Sequence, residues 1–389
     1  MSAIDPRRAL ASVSPPDEAG AERRAWAVVR VAFAERDPVP RRRPFVRPVL
    51  ALAAVVAIVA AALSPPGRAV LDDFRDAIAP TRIERSAPAL FALAAPGRLL
   101  VDSTAGVWVV HADGSQRLLP GYREASWSPH GRFVVVAKRN QLAALEQDGK
   151  VHWTLARPNV RSPRWGGTLT DTRIAYFTQR RGVVPALRVV AGNGAHDHWV
   201  AKGFLEVPPA WKPGGAHVLA VAHVDGRIRI WGADNRALLG STPRGARPVQ
   251  LEWSSDGKRL LALDRHTLRI FDRRAHPVAV RRIPTGWNAT AMSIQPGGTA
   301  VAVNLSHAGQ SQVVVLDRGR VRRAFAGTGT FSGIEWSPNG HWILVALKDA
   351  DQWAFVRSGR VGRFRAVSNI AGGFESDRFP TLAGWCCPR

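Results

Sequence analysis

From about residue 90 onward, apolar residues arrive in short runs that are broken by Gly, Pro, Asn and Asp. Runs of four to eight residues rich in Val, Ile, Leu and aromatics, bounded by such punctuation, predict strands. One unit reads as strands at Phe133–Lys138, Leu142–Glu146 and Val151–Leu155, the last two joined by an Asp148-Gly149 turn. Another reads Val218–His223, Arg227–Trp231 and Ala237–Ser241. Helical spacing is not sustained anywhere in this region, so the fold class is expected to be all-β.

One pattern recurs: a short strand ending in Trp, a tight turn, then a run of β-formers. It stands as Trp127-Ser-Pro-His-Gly131, Trp211-Lys-Pro-Gly-Gly215, Trp253-Ser-Ser-Asp-Gly257 and Trp336-Ser-Pro-Asn-Gly340. Looser copies are centred on Trp165, Ile294 and Trp385. The seven anchors lie 38, 46, 42, 41, 42 and 49 residues apart, an average of 43. That period matches a four-stranded propeller blade of about 40–45 residues. A seven-bladed β-propeller over residues 90–389 is therefore expected, with each anchor packed between neighbouring blades. The first three-strand set, Leu99 to Leu119, has no anchor before it, and Trp385 has no strands after it. The two halves are expected to form one blade, a clasp that removes both open sheet edges. The alternative is that Pro88–Ala94 supplies the first inner strand.

The Trp-Ser-Pro-x-Gly turns at Trp127, Trp253 and Trp336 resemble the TolB-like and WD-like propeller repeats of bacterial proteins. Arg227-Ile-Arg-Ile-Trp231 and Thr267-Leu-Arg-Ile-Phe271-Asp272 look like the third strand of WD repeats. The layout as a whole resembles membrane-anchored WD-like proteins of GC-rich actinobacteria. The resemblance implies a fold more than a function, because propellers host unrelated activities.

The first 47 residues are Pro- and Arg-rich, with a candidate amphipathic helix at 22–36 carrying Trp26, Val29 and Phe33 on one face. Residues 48–66 contain no charge, which suits a single transmembrane helix. Arginines are denser before this segment than after it, so the N-terminus is expected inside the bacterial cell membrane and the propeller outside. Residues 67–89 read as a stalk. A cleaved signal peptide is the rival, with small residues at Ala60–Ala62.

Composition adds a formal charge of +24, with only six lysines among 54 basic residues. The expected topology places this charge away from nucleic acid, so no nucleic-acid partner is expected. On the predicted strands, the loops between blades and those joining second to third strands share one face. That face collects Lys138, Arg139, Arg157, Arg161, Arg180, Arg181, Arg244, Arg247 and Arg265. A ring of guanidiniums there suits carboxylates and phosphates.

Metal and enzyme signatures are sparse. His196-Asp197-His198 places two imidazoles on alternate positions but within a Gly-rich turn. Glu124, Glu206, Glu252 and Glu335 are the acids expected on the inner strands, and nearby arginines are the expected partners of Glu252 and Glu335. Adjacent Cys386 and Cys387 can close a vicinal disulfide, pair between chains, or simply end a strand. The sequence has no zincin, nucleophile-elbow or phosphate-loop motif. A non-enzymatic binding or scaffold module without cofactor is expected, holding a protein or an anionic cell-envelope polymer. The alternatives are an anti-sigma-like signalling protein, with residues 1–47 contacting a cytoplasmic partner, and a lactonase- or lyase-like enzyme at the channel mouth.

Overall fold

The chain divides into two units, Met1–Arg82 and Ile83–Arg389. The computed structural model describes residues 91–179, 184–359 and 364–387, all within the second unit. The expected tail, membrane segment and stalk lie outside the described residues. Among the described residues, no helix is long and apolar enough to cross a membrane.

Among the described residues, twenty-eight strands form seven four-stranded antiparallel sheets. Blade 1 contains β1 (Arg98–Asp102), β2 (Gly106–Val110) and β3 (Gln116–Pro120). Blade 2 is β4 (Arg123–Trp127), β5 (Phe133–Lys138), β6 (Gln141–Glu146) and β7 (Val151–Ala156). Blade 3 is β8 (Arg161–Gly167), β9 (Thr172–Thr178), β10 (Ala186–Ala191) and β11 (His198–Lys202). Blade 4 is β12 (Ala210–Trp211), β13 (Val218–Ala222), β14 (Ile228–Gly232) and β15 (Ala237–Ser241). Blade 5 is β16 (Gln250–Trp253), β17 (Arg259–Leu263), β18 (Thr267–Asp272) and β19 (Pro277–Arg282). Blade 6 is β20 (Asn288–Ile294), β21 (Val301–His307), β22 (Gln310–Asp317) and β23 (Arg320–Thr328). Blade 7 is β24 (Phe331–Trp336), β25 (Trp342–Leu347), β26 (Gln352–Arg357) and β27 (Phe364–Ser368). The last strand, β28 (Thr381–Cys386), returns to pair with β1 as the inner strand of blade 1.

The clasp is thus present, with Leu99 opposite Trp385 and Leu100 opposite Gly384. Pro88–Ala94 does not supply the inner strand. Its described part is irregular, and Phe91 instead packs edge-on against Trp353 at 5.6 Å. Leu93 donates its N–H to the Ala112 carbonyl at 2.9 Å, so the chain reaches the propeller beside a turn joining third to fourth strands.

The core lies between blades rather than within them. Seven clusters of buried residues fill the seven blade interfaces. Val134 and Val136 join the cluster shared with blade 1, while Val135 and Ala137 join the one shared with blade 3. Alternate side chains on a strand point to opposite faces, so a strand buried on both faces is apolar throughout. This explains the continuous apolar runs of the second strands. The outermost strands face solvent on their far edge, and exposed Leu238, Val280 and Val321 lie on them.

The repeated turn has a local cause. In Trp127-Ser-Pro-His-Gly131, the Ser128 Oγ accepts the Phe133 N–H at 3.0 Å, and Gly131 donates back to the Ser128 carbonyl at 2.8 Å. The same pair of bonds closes the turns at Ser254 and Ser337. Gly131, Gly257 and Gly340 all sit at φ between +65° and +68°, which a side chain disfavours.

Candidate functional site

All seven anchors end, or nearly end, an inner strand. Each side chain leans onto the preceding blade: Trp336 Nε1 donates to the Ser293 carbonyl at 3.0 Å, and Trp211 Nε1 to the Arg164 carbonyl at 2.8 Å. A Cβ on Gly166 would meet the Trp211 ring at 2.2 Å, so this close approach requires glycine.

The residues just before the anchors take other directions: Ser126, Glu252 and Ser293 reach the following blade, while Arg164 turns back to the Ala125 carbonyl of blade 2. Around the ring these positions are Ser126, Arg164, Ala210, Glu252, Ser293, Glu335 and Gly384. Three of them accept the N–H of the next anchor: Ser126 from Trp165, Glu252 from Ile294 and Ser293 from Trp336, at 3.1–3.2 Å. All but Gly384 line an axial cavity of about 540 Å³, to which every inner strand contributes. Five inner strands carry a register shift, in β4, β8, β20, β24 and β28. Bulges of this kind bend a strand and re-aim its side chains, and Ser332 and Ala383 reach the cavity from two of them.

The channel charges are not arranged as the sequence suggested. Glu124 does pair with an arginine, Arg161, at 3.3 Å. Glu206 is exposed in the loop before β12 rather than on an inner strand. Glu252 and Glu335 form no ion pair with a described residue, because their neighbours around the ring are Ala210, Ser293 and Gly384 rather than arginine. The Glu252 Oε2 is buried without a hydrogen-bond partner. Among the described residues, Arg164 bonds only to the Pro163 and Ala125 carbonyls, at 3.3 and 3.5 Å.

These side chains are half-buried and line the channel. Removal from bulk water disfavours the ionised carboxylate. Burial, reinforced by the Glu335 charge, pushes the Glu252 carboxyl up to about 8. Burial raises Glu335 to about 7 against the opposing pull of Arg164. Asp102, at the end of β1, rises to about 7, again chiefly by burial. Burial also lowers Arg164 below the usual guanidinium value, but a guanidinium stays charged at neutral pH.

Antiparallel order within each blade puts the inter-blade loops and the second-to-third loops at one end, here called the loop face. Lys138, Arg139, Arg157, Arg161, Arg244, Arg247 and Arg265 are all found there, while Arg180 and Arg181 lie outside the described residues. They are not equivalent. Arg157 is held by Asp197 and Arg161 by Glu124, and Lys138 sits 4.8 Å over the Tyr122 ring. Arg139, Arg244, Arg247 and Arg265 are exposed and make no ion pair with a described residue. Exposed Arg281 and Arg282, at the end of β19, extend this group. Counting each outer strand to its last residue would have found them. Asp349, Glu375 and Asp377 are exposed on the loops of blade 7 at the same end, beside exposed Lys348 and Arg378. The expected ring is therefore an arc over blades 2 to 5, facing a sector of mixed charge.

His196-Asp197-His198 is occupied internally. Asp197 receives Tyr176, Arg157 and Arg188, and those bonds hold its carboxyl below the usual range although burial alone would raise it. Both ring nitrogens of His198 lie 2.9 Å from backbone carbonyls, of His196 and Ala233. Cys386 and Cys387 are joined as a vicinal disulfide at the end of the clasp strand.

The geometry defines a seven-bladed β-propeller with an axial charged channel and a polarised loop face. No family model matches the chain. Intraflagellar transport protein 80 homologs of Rattus norvegicus and Mus musculus are 23% identical over 163 residues, which is 41% of this chain. The match spans only 20% of the length of those curated relatives. Among solved structures, the periplasmic gluconolactonase PpgL of Pseudomonas aeruginosa aligns with a TM-score of 0.52 and 17% identity. That alignment covers 70% of this chain and 96% of the other. The Cps50 (Swd1) β-propeller domain of Myceliophteria thermophila aligns at 0.50 with 12% identity, covering 70% and 90% respectively. These likenesses concern the fold.

Proposed function

We propose that this protein is a TolB-like propeller, tethered outside the bacterial membrane through residues 48–66, that binds an anionic cell-envelope polymer without catalysing a reaction. The observation that carries the reading is the arc of exposed guanidiniums at Arg139, Arg244, Arg247 and Arg265, which have no carboxylate partner among the described residues. The described chain begins beside the Asp113-Gly114 turn, at the end of the propeller opposite this arc. Arginine is suited to such a surface because its planar fork binds phosphate and carboxylate bidentately.

The test is co-sedimentation of the full-length protein, in detergent, with purified anionic wall polymer. Changing all four arginines to Gln is expected to weaken binding by at least about tenfold, given roughly 0.5 kcal/mol or more for each lost contact. Equal binding by the variant rejects the surface. A second reading, an enzyme at the channel mouth, draws on the Glu252 and Glu335 carboxyls, which titrate near neutrality. It requires turnover that is lost when both become Gln.

A further inference from the structure

The axial channel holds a second set of charges that the loop-face reading does not use. Arg164, Glu252 and Glu335 occupy equivalent ring positions on blades 3, 5 and 7, separated by the small residues Ala210, Ser293, Gly384 and Ser126. This spacing keeps the three charged groups from closing an ion pair on one another while all three line the same cavity. One of their polar atoms, the Glu252 Oε2, is buried with no partner. Arg164 is bonded at Nη1 to two carbonyls and Glu252 at Oε1 to the Ile294 N–H, and the Glu335 carboxyl bonds to no described residue. Buried polar groups in native proteins ordinarily find partners, in protein, water or ligand. A cavity of about 540 Å³ lies within the range of small-molecule sites.

We propose that the channel is a binding site for a small zwitterion of the amino-acid class, its carboxylate received by Arg164 and its ammonium group by Glu252 and Glu335. The guanidinium supplies paired N–H donors to a carboxylate. The two carboxyls, on the blades either side of Ser293, offer acceptors to an ammonium from two directions. Once the carboxyls are ionised, a monovalent anion or a simple amine satisfies only one side and leaves the other charge unmatched away from bulk water, which is costly. The channel therefore discriminates by requiring both charges on one molecule. This site is independent of the loop face, and neither proposal depends on the other.

Isothermal titration of the full-length protein in detergent, with glycine, 4-aminobutyrate and 6-aminohexanoate as zwitterions of increasing length, tests it directly. Acetate and methylammonium serve as single-charge probes. At least one zwitterion is expected to bind about tenfold or more tightly than either single-charge probe. Its affinity should rise between pH 6 and 8.5 as the carboxyls ionise. The charges that bear on this titration are those of the two carboxyls and Arg164, with Asp102 and Glu124 acting in turn on Arg164. Arg164→Met is expected to abolish the preference for a carboxylate-bearing probe. Glu252→Gln with Glu335→Gln should abolish the preference for an amine-bearing one, while the amide oxygen introduced at position 252 would still accept the Ile294 N–H. Acetate or methylammonium binding as well as the zwitterions, or no probe binding up to about 20 mM, a concentration at which even a Kd near 1 mM is saturated, overturns the proposal. Should both variants fail to fold, as judged by circular dichroism, the ranking of probes on the wild-type protein decides alone.

Discussion

Arg164 and Arg265 are the same residue type held in opposite circumstances. Arg164 projects from an inner strand into an enclosed channel, where burial lowers its basicity and four carboxyls share its field without bonding to it. Arg265 sits at the tip of a second-to-third loop, exposed and without an ion pair among the described residues. The first kind of charge is expensive to keep and is tolerated where the ring geometry spaces it. The second costs the fold almost nothing and is free to meet a partner. The lesson is that position in the blade, rather than residue type or local sequence, decides whether a charge belongs to the scaffold or to recognition. Arg157 and Arg161 make the same point, since each lies on the loop face yet is claimed by a carboxylate from another part of the chain.

The largest test of this division removes the ring itself. Deleting residues 380–389 takes away β28, the inner strand that closes blade 1 and completes the channel wall. It would also expose the paired edge of β1 and empty the pocket of Trp385, which is 7% exposed and packs 5.8 Å from Phe355. The truncated protein is expected to aggregate or to lose cooperative melting. Trp385→Ala should act more mildly, at about 3–5 kcal/mol, by chemical denaturation. A truncation that melts like the intact protein would show that the ring does not need its clasp.

A smaller effect sharpens the contrast between buried and exposed charge. The Glu252 carboxyl titrates at about 8 in the folded protein, against 4.5 in a free side chain. Between those values the folded state holds the proton more tightly than the unfolded one, so its contribution to stability falls as pH rises and is lost above about 8. Glu335 behaves alike up to about 7. Glu252→Gln removes this term. Relative to wild type, the variant should be little changed at pH 5 and more stable at pH 8.5, by on the order of 2 kcal/mol once channel solvent is allowed for. Melting curves at the two pH values check this, and a variant offset that is the same at both would contradict it.

Much of this architecture is legible in the amino-acid sequence. The anchors stand out because one turn chemistry, Ser closing on the residue five positions later, recurs at a blade's spacing. The clasp follows from counting strands against anchors. The channel ring is not legible in the same way, because the position before each anchor is filled by Ser, Arg, Ala, Glu or Gly. What unites those residues is a common position on the inner strands around the channel, visible only once the ring is closed. The same holds for the loop face. Its membership can be read from strand order, but the partners of Arg157 and Arg161 are Asp197 and Glu124, which no local pattern links to them.

The exposed arc should be nearly silent in stability. Changing Arg139, Arg244, Arg247 and Arg265 to Gln is expected to shift unfolding by less than about 0.5 kcal/mol per site. Its signature lies in salt dependence, because a polyanion held by exposed cations releases counterions on binding, roughly one for each contact. The most direct measurement is the slope of log affinity against log salt for anionic wall polymer, from about 50 to 300 mM. The wild-type protein should show a steep fall, and the fourfold variant a slope shallower by roughly three to four. Equal slopes for the two proteins would contradict the assignment of the loop face as the binding surface.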